Sequence, residues 1–127
     1  MFVALLLDTS VLIQGYSDPL DKVAISAVSI AELHFGALVT SDDEVRAQRL
    51  QRLAKIEDTF SPLPLDTKVA RECGRLYAAL ARRGGRPRRH AFDLAIAATA
   101  NVHGVPLLTL NASDFSLISD LIDVRSP

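Results

Sequence analysis

The chain has 127 residues, of which 49% are hydrophobic and 23% are charged, and this is the composition of one folded globular domain. It excludes wholesale disorder, and we expect a single domain over residues 1–127. Cys73 is the only cysteine, so a disulfide framework and a cysteine-rich zinc site are both excluded. The net charge of −1, from 14 basic and 15 acidic residues, excludes binding of nucleic acid through overall charge. Any contact with nucleic acid must come from a local patch.

The apolar segments are too short for an export signal or a membrane span. The first of them, over residues 2–7, has no basic flank and ends at Asp8. The longest, over residues 92–110, is interrupted by polar residues and by Pro106, whereas a span needs about 20 predominantly apolar residues. With one free thiol and no export signal, we expect the reducing cytoplasm and no membrane contact.

Apolar runs and helix-start signals alternate along the chain. The apolar run over residues 2–7 is typical of a strand buried on both faces of a parallel sheet. The spacing of Ser29 and Glu32 is that of a capping box, residues 41–44 repeat it, and Asp66 predicts a third helix start. In chain order, the predicted elements are strands over 2–7 and 23–26, helices over about 29–39 and from about 41, an extended piece over 61–65, helices over about 67–83 and 92–103, and strands over 105–110 and 121–124. This alternation predicts an α/β fold, a three-layer α/β/α sandwich with a short, mostly parallel sheet.

Four acidic residues lie at the ends of these predicted elements. Asp8 and Asp114 follow strands, and Glu32 and Asp93 lie in the first turns of helices. Each has a structural interpretation: Asp8 as a helix cap, Glu32 as the acid of the capping box, Asp93 as a charge on a helix dipole and Asp114 as a turn residue. However, all four would meet at the edge where ligands gather in an open α/β sheet.

Such a cluster of carboxylates repels itself. Two unit charges about 4 Å apart cost about 4 kcal/mol at an effective dielectric of about 20. Three or four carboxylates therefore require protonation, basic partners or a divalent cation. Oxygen ligands, with no cysteine and no histidine pair, favour Mg²⁺ or Mn²⁺ over zinc. A hard cation on carboxylates suits phosphoryl chemistry, which indicates a metal-dependent hydrolase of phosphodiesters.

Four sequence blocks resemble the signature blocks of PIN domains, and more narrowly the VapC-type toxins of bacterial toxin–antitoxin pairs. The blocks are LDTSVLI at residues 7–13, SAVSIAEL at 26–33, DLAIAA at 93–98 and TLNASDF at 109–115. The resemblance covers essentially the whole chain in order and spacing. It implies a PIN-like α/β/α fold and a Mg²⁺- or Mn²⁺-dependent endoribonuclease that is inhibited by a cognate antitoxin. It also implies a homodimer.

The resemblance also assigns roles by position. It implies metal-ligand or catalytic roles for the four acids, with polar residues beside them: Asp8 and Asp93 as principal ligands, Glu32 as the third acid, Asp114 as the fourth, and Thr9, Thr109 and Asn111 as the neighbours. Ser10 departs from the family, which often has Asn there, and it would change one hydrogen bond beside the ligands. The resemblance further places an antitoxin groove on the helix pair between residues 29 and 60.

A run of arginines precedes Asp93. Five of the fourteen basic residues lie within eight positions, at Arg82, Arg83, Arg86, Arg88 and Arg89. They could bind RNA phosphates, meet an acidic partner or lie in a solvated, glycine-flanked loop; we favour RNA contact because the overall charge is near neutral. By contrast, His34, His90 and His103 show no ligand spacing.

Two other functions compete with a ribonuclease toxin. A non-catalytic PIN-like module that binds protein or RNA would be favoured by an incomplete acidic set, but all four positions are filled. A dehalogenase-like phosphatase built on Asp8 would need a second aspartate two residues later. Ser10 occupies that position, so we reject the phosphatase.

Overall fold

The computed structural model describes residues 4–16 and 22–127. Within these ranges four strands form one sheet in the order β2-β1-β3-β4, and all three pairings are parallel. The strands are β1 Leu5–Leu7, β2 Val23–Ile25, β3 Leu107–Leu108 and β4 Val124–Arg125. The helices are α1 Thr9–Gln14, α2 Ala27–Leu38, α3 Asp43–Thr59, α4 Thr67–Arg82 and α5 Ala91–Val102, with 3₁₀ helices at Pro87–His90 and Ala112–Ile118.

The predicted strands are found, although each is shorter or shifted. The first is present from Leu5, and residues 2 and 3 of the prediction lie outside the described residues. The third shrinks from 105–110 to two residues, and the last moves from 121–124 to Val124–Arg125. The predicted extended piece over 61–65 pairs with the end of β2, because the Leu63 N–H donates to the Ile25 carbonyl at 2.8 Å.

Helices cover both faces of the sheet, so the α/β/α sandwich is confirmed. Successive strand residues point to opposite faces. Leu6 and Leu107 pack on one side with apolar residues of α4, α5 and the second 3₁₀ helix. Leu7 and Leu108 pack on the other side with residues of α1, α2 and α3. The sheet is therefore buried on both faces, as the apolar run in the first strand predicted.

Two helices begin at residues other than the predicted ones. Ser26, at the end of β2, caps α2 by accepting the N–H of Val28 at 3.0 Å. The capping-box interpretation of Ser29 and Glu32 was wrong, because both residues lie inside a helix that begins earlier. Glu32 is in the second turn of α2 and is free to point toward the end of the sheet.

The starts of α3 and α4 are set by aspartates. Asp42, and not Ser41, caps α3 by accepting the N–H of Val45 at 3.0 Å. Asp66 caps α4 through the N–H of Val69, as predicted. Leu53 is the fully buried residue of α3, so this helix covers the sheet from an outer position. Within the described residues no helix is long and apolar enough to cross a membrane.

The arginine run is exposed, and part of it is helical. After α4 ends, Gly84 turns the chain with a φ of 85°, a conformation that favours glycine. The N–H of Gly85 then returns to the Leu80 carbonyl at 2.8 Å. The following 3₁₀ helix at Pro87–His90 continues directly into α5. The alternative of a glycine-flanked loop therefore does not describe residues 87–90, where the arginines stand on an ordered helical turn.

Candidate active site

Asp8 lies at the carboxyl end of the central strand β1. Its carbonyl accepts the N–H groups of Val11 and Leu12, so its backbone takes the cap position of α1. The side chain makes no capping hydrogen bond. Instead, Oδ2 accepts hydrogen bonds from the hydroxyls of Thr109 at 2.7 Å and Ser10 at 2.9 Å. Asp8 is only 4% exposed, so two hydroxyls hold a buried carboxylate at the junction of β1 and β3.

Glu32 reaches the same edge from α2. The Thr9 hydroxyl lies 2.8 Å from Oε1 of Glu32 and 2.8 Å from the Ser29 hydroxyl, and it is hydrogen bonded to both. Burial raises the pKa of Glu32, the Thr9 hydrogen bond opposes this shift, and the charges of Asp93 and Asp8 raise the pKa further. These effects show that Glu32 lies within electrostatic reach of both aspartates.

Asp93 enters the site from the first turn of α5. Its Oδ2 lies 3.5 Å from Nδ1 of His90, the last residue of the preceding 3₁₀ helix. Burial raises the pKa of Asp93 most, followed by the charge of Asp8, while the contact with His90 lowers it and the charge of Asp114 raises it. Residues 8 and 93 are far apart in sequence and near enough in space to repel each other, as the strand and helix ends predicted.

Asp114 lies at the open side of this group. It is in the first turn of the second 3₁₀ helix, and it is exposed. Its charge acts on Asp93, so the fourth acid is a neighbour of the site and is the most solvated of the four. Asn111 contributes its backbone: its N–H donates to Thr109 Oγ1 at 3.0 Å, which leaves the Thr109 proton for Asp8.

The donor set of this site fits a hard divalent cation. Among the described residues, no lysine or arginine forms an ion pair with Asp8, Glu32 or Asp93, and His90 is the single basic side chain in contact with them. Within residues 4–16 and 22–127, no three side chains of the His, Cys, Asp and Glu types stand close enough to enclose an ion. Mg²⁺ does not require such a cage, because it keeps several waters and is bound by one or two carboxylates. A cation would also offset the repulsion that raises the pKa values of Glu32 and Asp93.

The sequence pattern predicted no role in the site for two residues that the structure places there, Ser10 and His90. Ser10 was noticed as a departure from a family pattern, but its hydroxyl both donates to Asp8 and accepts the Leu110 N–H at 3.1 Å. His90 had no ligand spacing, and its contact with Asp93 follows from the i, i+3 spacing across the start of α5. That spacing is visible in the sequence and would have paired the two residues.

The five arginines of the run differ in their surroundings. Arg83 donates to both carboxylate oxygens of Asp120, at 2.6 and 3.2 Å, and to the Leu117 carbonyl at 2.9 Å. It therefore ties the end of α4 to the second 3₁₀ helix and is not free for RNA. The other four are exposed, and no hydrogen bond or ion pair of their side chains is present in the described part of the chain: Arg82, Arg86, Arg88 and Arg89.

A cavity of about 310 Å³ adjoins Glu32 on the side of α3. Its lining includes Thr9, Glu32, Arg49 and Arg52. Arg52 donates to the last carbonyls of α1, and Arg49 donates to a carbonyl of α2. The cavity lies between α1, α2 and α3, on the helix pair to which the resemblance assigns the antitoxin groove.

Comparisons with known proteins agree with this fold. The PIN domain profile matches residues 5–121. Ribonuclease VapC5 of Mycobacterium tuberculosis is 37% identical over 105 residues, which are 83% of this chain and 75% of that protein. Ribonuclease VapC of Rickettsia bellii is 29% identical over an alignment of 128 positions, which covers 94% of this chain and 93% of that protein.

Solved structures match over nearly the whole chain. The crystal structure of VapBC-5 from Mycobacterium tuberculosis, a member of the VapBC family of toxin–antitoxin systems, has a TM-score of 0.79 at 37% identity and covers 98% of this chain and 97% of that one. The DNA-bound VapBC from Salmonella typhimurium has a TM-score of 0.83 at 23% identity, with 98% of each chain covered, and it supports the fold. The chain belongs to the PIN domain family, and its curated relatives there are VapC ribonucleases.

Proposed function

We propose that this protein is an endoribonuclease toxin of a type II toxin–antitoxin pair, which hydrolyses phosphodiester bonds in RNA and is inhibited by a cognate antitoxin. One observation carries the proposal: a buried carboxylate, Asp8, stands beside Glu32 and Asp93 without lysine or arginine partners among the described residues. The relatives at 37% identity are a ribonuclease and a toxin–antitoxin complex, which supports both the activity and the partner.

The proposed cofactor is Mg²⁺, with Mn²⁺ as the alternative. Asp8 and Asp93 would hold the cation, and Glu32 and Asp114 would complete the acidic set directly or through water. When bound, the cation supplies neutralisation of the phosphate charge and lowers the pKa of bound water. Glu32 is suited to accept a proton from the attacking water, because its pKa is raised by burial while Thr9 fixes one of its oxygens.

The hydroxyl residues contribute orientation. Ser10 and Thr109 both donate to Oδ2 of Asp8, and Oδ1 accepts no hydrogen bond from the described residues, so it is the oxygen available to a cation. RNA is the proposed substrate, and the exposed arginines Arg82, Arg86, Arg88 and Arg89 are its proposed phosphate contacts. A homodimer is proposed from the resemblance alone. The antitoxin segment is proposed to occupy the cavity beside Glu32 and so to cover the acids.

Cleavage of total RNA by the purified protein tests the function. We expect cutting with Mg²⁺ or Mn²⁺, none in excess chelator, and a loss of activity in Asp8→Asn and Asp93→Asn. Asp58→Asn is the matched control, since it removes the same charge from the exposed face of α3. Folded site variants that cut as fast as the parent would exclude the proposed site. Equal cutting in chelator would remove the cation from the mechanism. A parent that binds RNA but never cuts it would instead favour the binding module.

A further inference from the structure

An open groove runs between the outer side of α4 and the 3₁₀ helix at Pro87–His90. Its volume is about 850 Å³. On the α4 side it is lined by Gly74, Tyr77 and Ala78, and on the other side by Arg86, Arg88 and Arg89. We call it the α4 groove. It combines a flat apolar wall, one aromatic ring and three positive charges, and none of these features is used by the acidic site.

The apolar wall is kept open by a glycine that the fold does not need. Gly74 lies inside α4, and a Cβ built on it would meet nothing within 4 Å. Glycine within a helix costs roughly 0.5–1 kcal/mol relative to alanine, so this position gives up stability without a packing reason. The result is an accessible strip of α4 next to the ring of Tyr77, which is half-buried.

The three arginines carry charge that no described acidic residue neutralises in an ion pair. Arg75 and Arg83, nearby on α4 and at its end, are each paired with a carboxylate, Glu72 and Asp120 respectively. In the described part of the chain no such partner holds the arginines of the α4 groove. Since the net charge is −1, this concentration is local and must face a ligand of opposite charge or water.

Two observations relate the α4 groove to the acidic site. A second cavity, of about 580 Å³, shares Gly74 and Tyr77 with it and extends to Phe92, the chain neighbour of Asp93. The 3₁₀ helix that carries the arginines also ends at His90, whose Nδ1 is 3.5 Å from Oδ2 of Asp93. The arginines of the groove are therefore close to Asp93 along the chain, on the 3₁₀ helix that contacts it.

We propose that the α4 groove binds single-stranded RNA beside the scissile phosphate. Arg86, Arg88 and Arg89 hold phosphates, and a base stacks on Tyr77 above Gly74. Basic grooves with an aromatic platform bind single strands in this way, because every base has a flat face and every linkage has a charge. An acidic protein segment would also meet the arginines. RNA is favoured because the arginines of the groove directly precede His90, which contacts Asp93, where, on the proposed function, RNA is cut.

Binding of a labelled, uncleavable 2′-O-methyl RNA oligonucleotide to the full chain in chelator tests this proposal without catalysis. Single-strand binding loses about 0.7 in the slope of log affinity against log salt for each phosphate contact removed. We expect the Arg86→Gln/Arg88→Gln double variant to make the slope of log affinity against log salt shallower by about 1.4, because two phosphate contacts are lost. Lys68→Gln, exposed in the first turn of α4 and outside the groove lining, should leave the slope unchanged.

Two uncharged changes test the stacking step. Tyr77→Leu should weaken binding by roughly fivefold or more, while Tyr77→Phe, which keeps the ring, should bind like the parent. Gly74→Gln should fill the groove and weaken binding with the salt slope unchanged, and it should not unfold the chain because the site of the new side chain is open. Thermal unfolding of each variant checks that the fold is retained.

Unchanged affinity and slope in the double arginine variant would overturn the proposal. So would variants that alter only self-association or antitoxin binding, since the groove would then be a protein interface. The same variants are assayed for cutting of total RNA with Mn²⁺. If Asp8→Asn abolishes cutting while the groove variants bind and cut like the parent, the groove proposal fails and the proposed function stands. If the parent itself never cuts RNA, the proposed function fails.

Discussion

The Thr109 hydroxyl donates to Oδ2 of Asp8 at 2.7 Å, across 101 positions of sequence. This bond joins the ends of β1 and β3, and the Asn111 N–H fixes its direction by donating to the same hydroxyl. Ser10 donates to the same carboxylate oxygen and accepts the Leu110 N–H. Two hydroxyls, one at the start of α1 and one after β3, therefore fix Oδ2 of Asp8. The other oxygen of Asp8 accepts no hydrogen bond from the described residues, and on the proposed function it is the oxygen that would face a cation.

We therefore predict that Thr109→Val weakens Mn²⁺ binding and RNA cutting by about 10- to 100-fold, the usual cost of losing a residue that orients a metal ligand. Thr109→Ser keeps the hydroxyl and should restore both. Ser10→Ala should have the same direction and a smaller effect, because Thr109 remains. Titration calorimetry with Mn²⁺ measures the affinity directly. Parent-like Mn²⁺ affinity in a folded Thr109→Val would show that the hydroxyl does not orient Asp8.

The Asp8 carboxylate shows what sequence could predict and what it could not. Its place after a buried strand could be predicted, because apolar runs locate strands and parallel strands share one ligand-binding edge. The hydroxyl partners could not, because Thr109 meets Asp8 only through the pairing of β1 with β3. Residue spacing shows local contacts, whereas strand order decides contacts between distant residues.

Glu32 shows the opposite case, in which a local pattern gave a wrong prediction. The spacing of Ser29 and Glu32 satisfies a capping box, yet Ser26 caps α2 because β2 ends directly before it. Both Ser26 and Ser29 are suitable helix caps, and the spacing alone does not show which of them begins the helix. The contact of His90 with Asp93 was predictable from its i, i+3 spacing. That this contact adjoins a group of acids follows only from the folded structure.

Asp93→Asn is expected to stabilise the protein in the absence of metal. Burial and the charge of Asp8 raise the pKa of Asp93, so the folded state binds more protons than the unfolded state above the ordinary value of 3.8. Stability therefore falls as pH rises through that window, and the cost persists at higher pH. Asparagine removes this cost, so Tm in chelator should rise, although a typical substitution destabilises by about 1 kcal/mol.

The same variant should lose the stabilisation that Mn²⁺ gives the parent, because a ligand raises Tm only if it binds the folded state. Differential scanning calorimetry with Mn²⁺ and with chelator measures both effects. Asp58→Asn serves again as the control for charge removal. A lower Tm in chelator for Asp93→Asn would mean that the contact with His90 outweighs the repulsion by Asp8.

Arg83→Gln should affect the fold and spare RNA binding, in contrast to the arginines of the α4 groove. Its guanidinium pairs with Asp120 and the Leu117 carbonyl, so its removal loosens the second 3₁₀ helix from α4. We expect a small decrease in Tm and an unchanged salt slope for the 2′-O-methyl RNA. Asp120→Asn should give a similar decrease, and the double variant should be less than additive. A reduced salt slope would return Arg83 to the RNA contacts.

Glu72 gives the protein a pH-dependent link between α4 and α5. Its carboxylate accepts two hydrogen bonds from Arg75 and one from the Asn101 amide at 2.8 Å. The hydrogen bond with Arg75 lowers the pKa of Glu72 most, burial opposes the shift, and Asn101 lowers it further. Because the folded-state pKa lies below the ordinary value of 4.5, the stabilisation is complete above that pH and is lost as pH falls through the lowered pKa.

We therefore expect Glu72→Gln to destabilise the protein by about 1 kcal/mol or less at neutral pH, since the bonds are screened by solvent. The difference from the parent should shrink as the solution is made more acidic than the ordinary pKa, because the parent then loses the same interaction. Urea unfolding across that range measures it. Glu44→Gln, exposed at the start of α3 and without a described ion pair, controls for the loss of one charge. A difference that grows in acid would mean that the Glu72 hydrogen bonds do not favour its charged form.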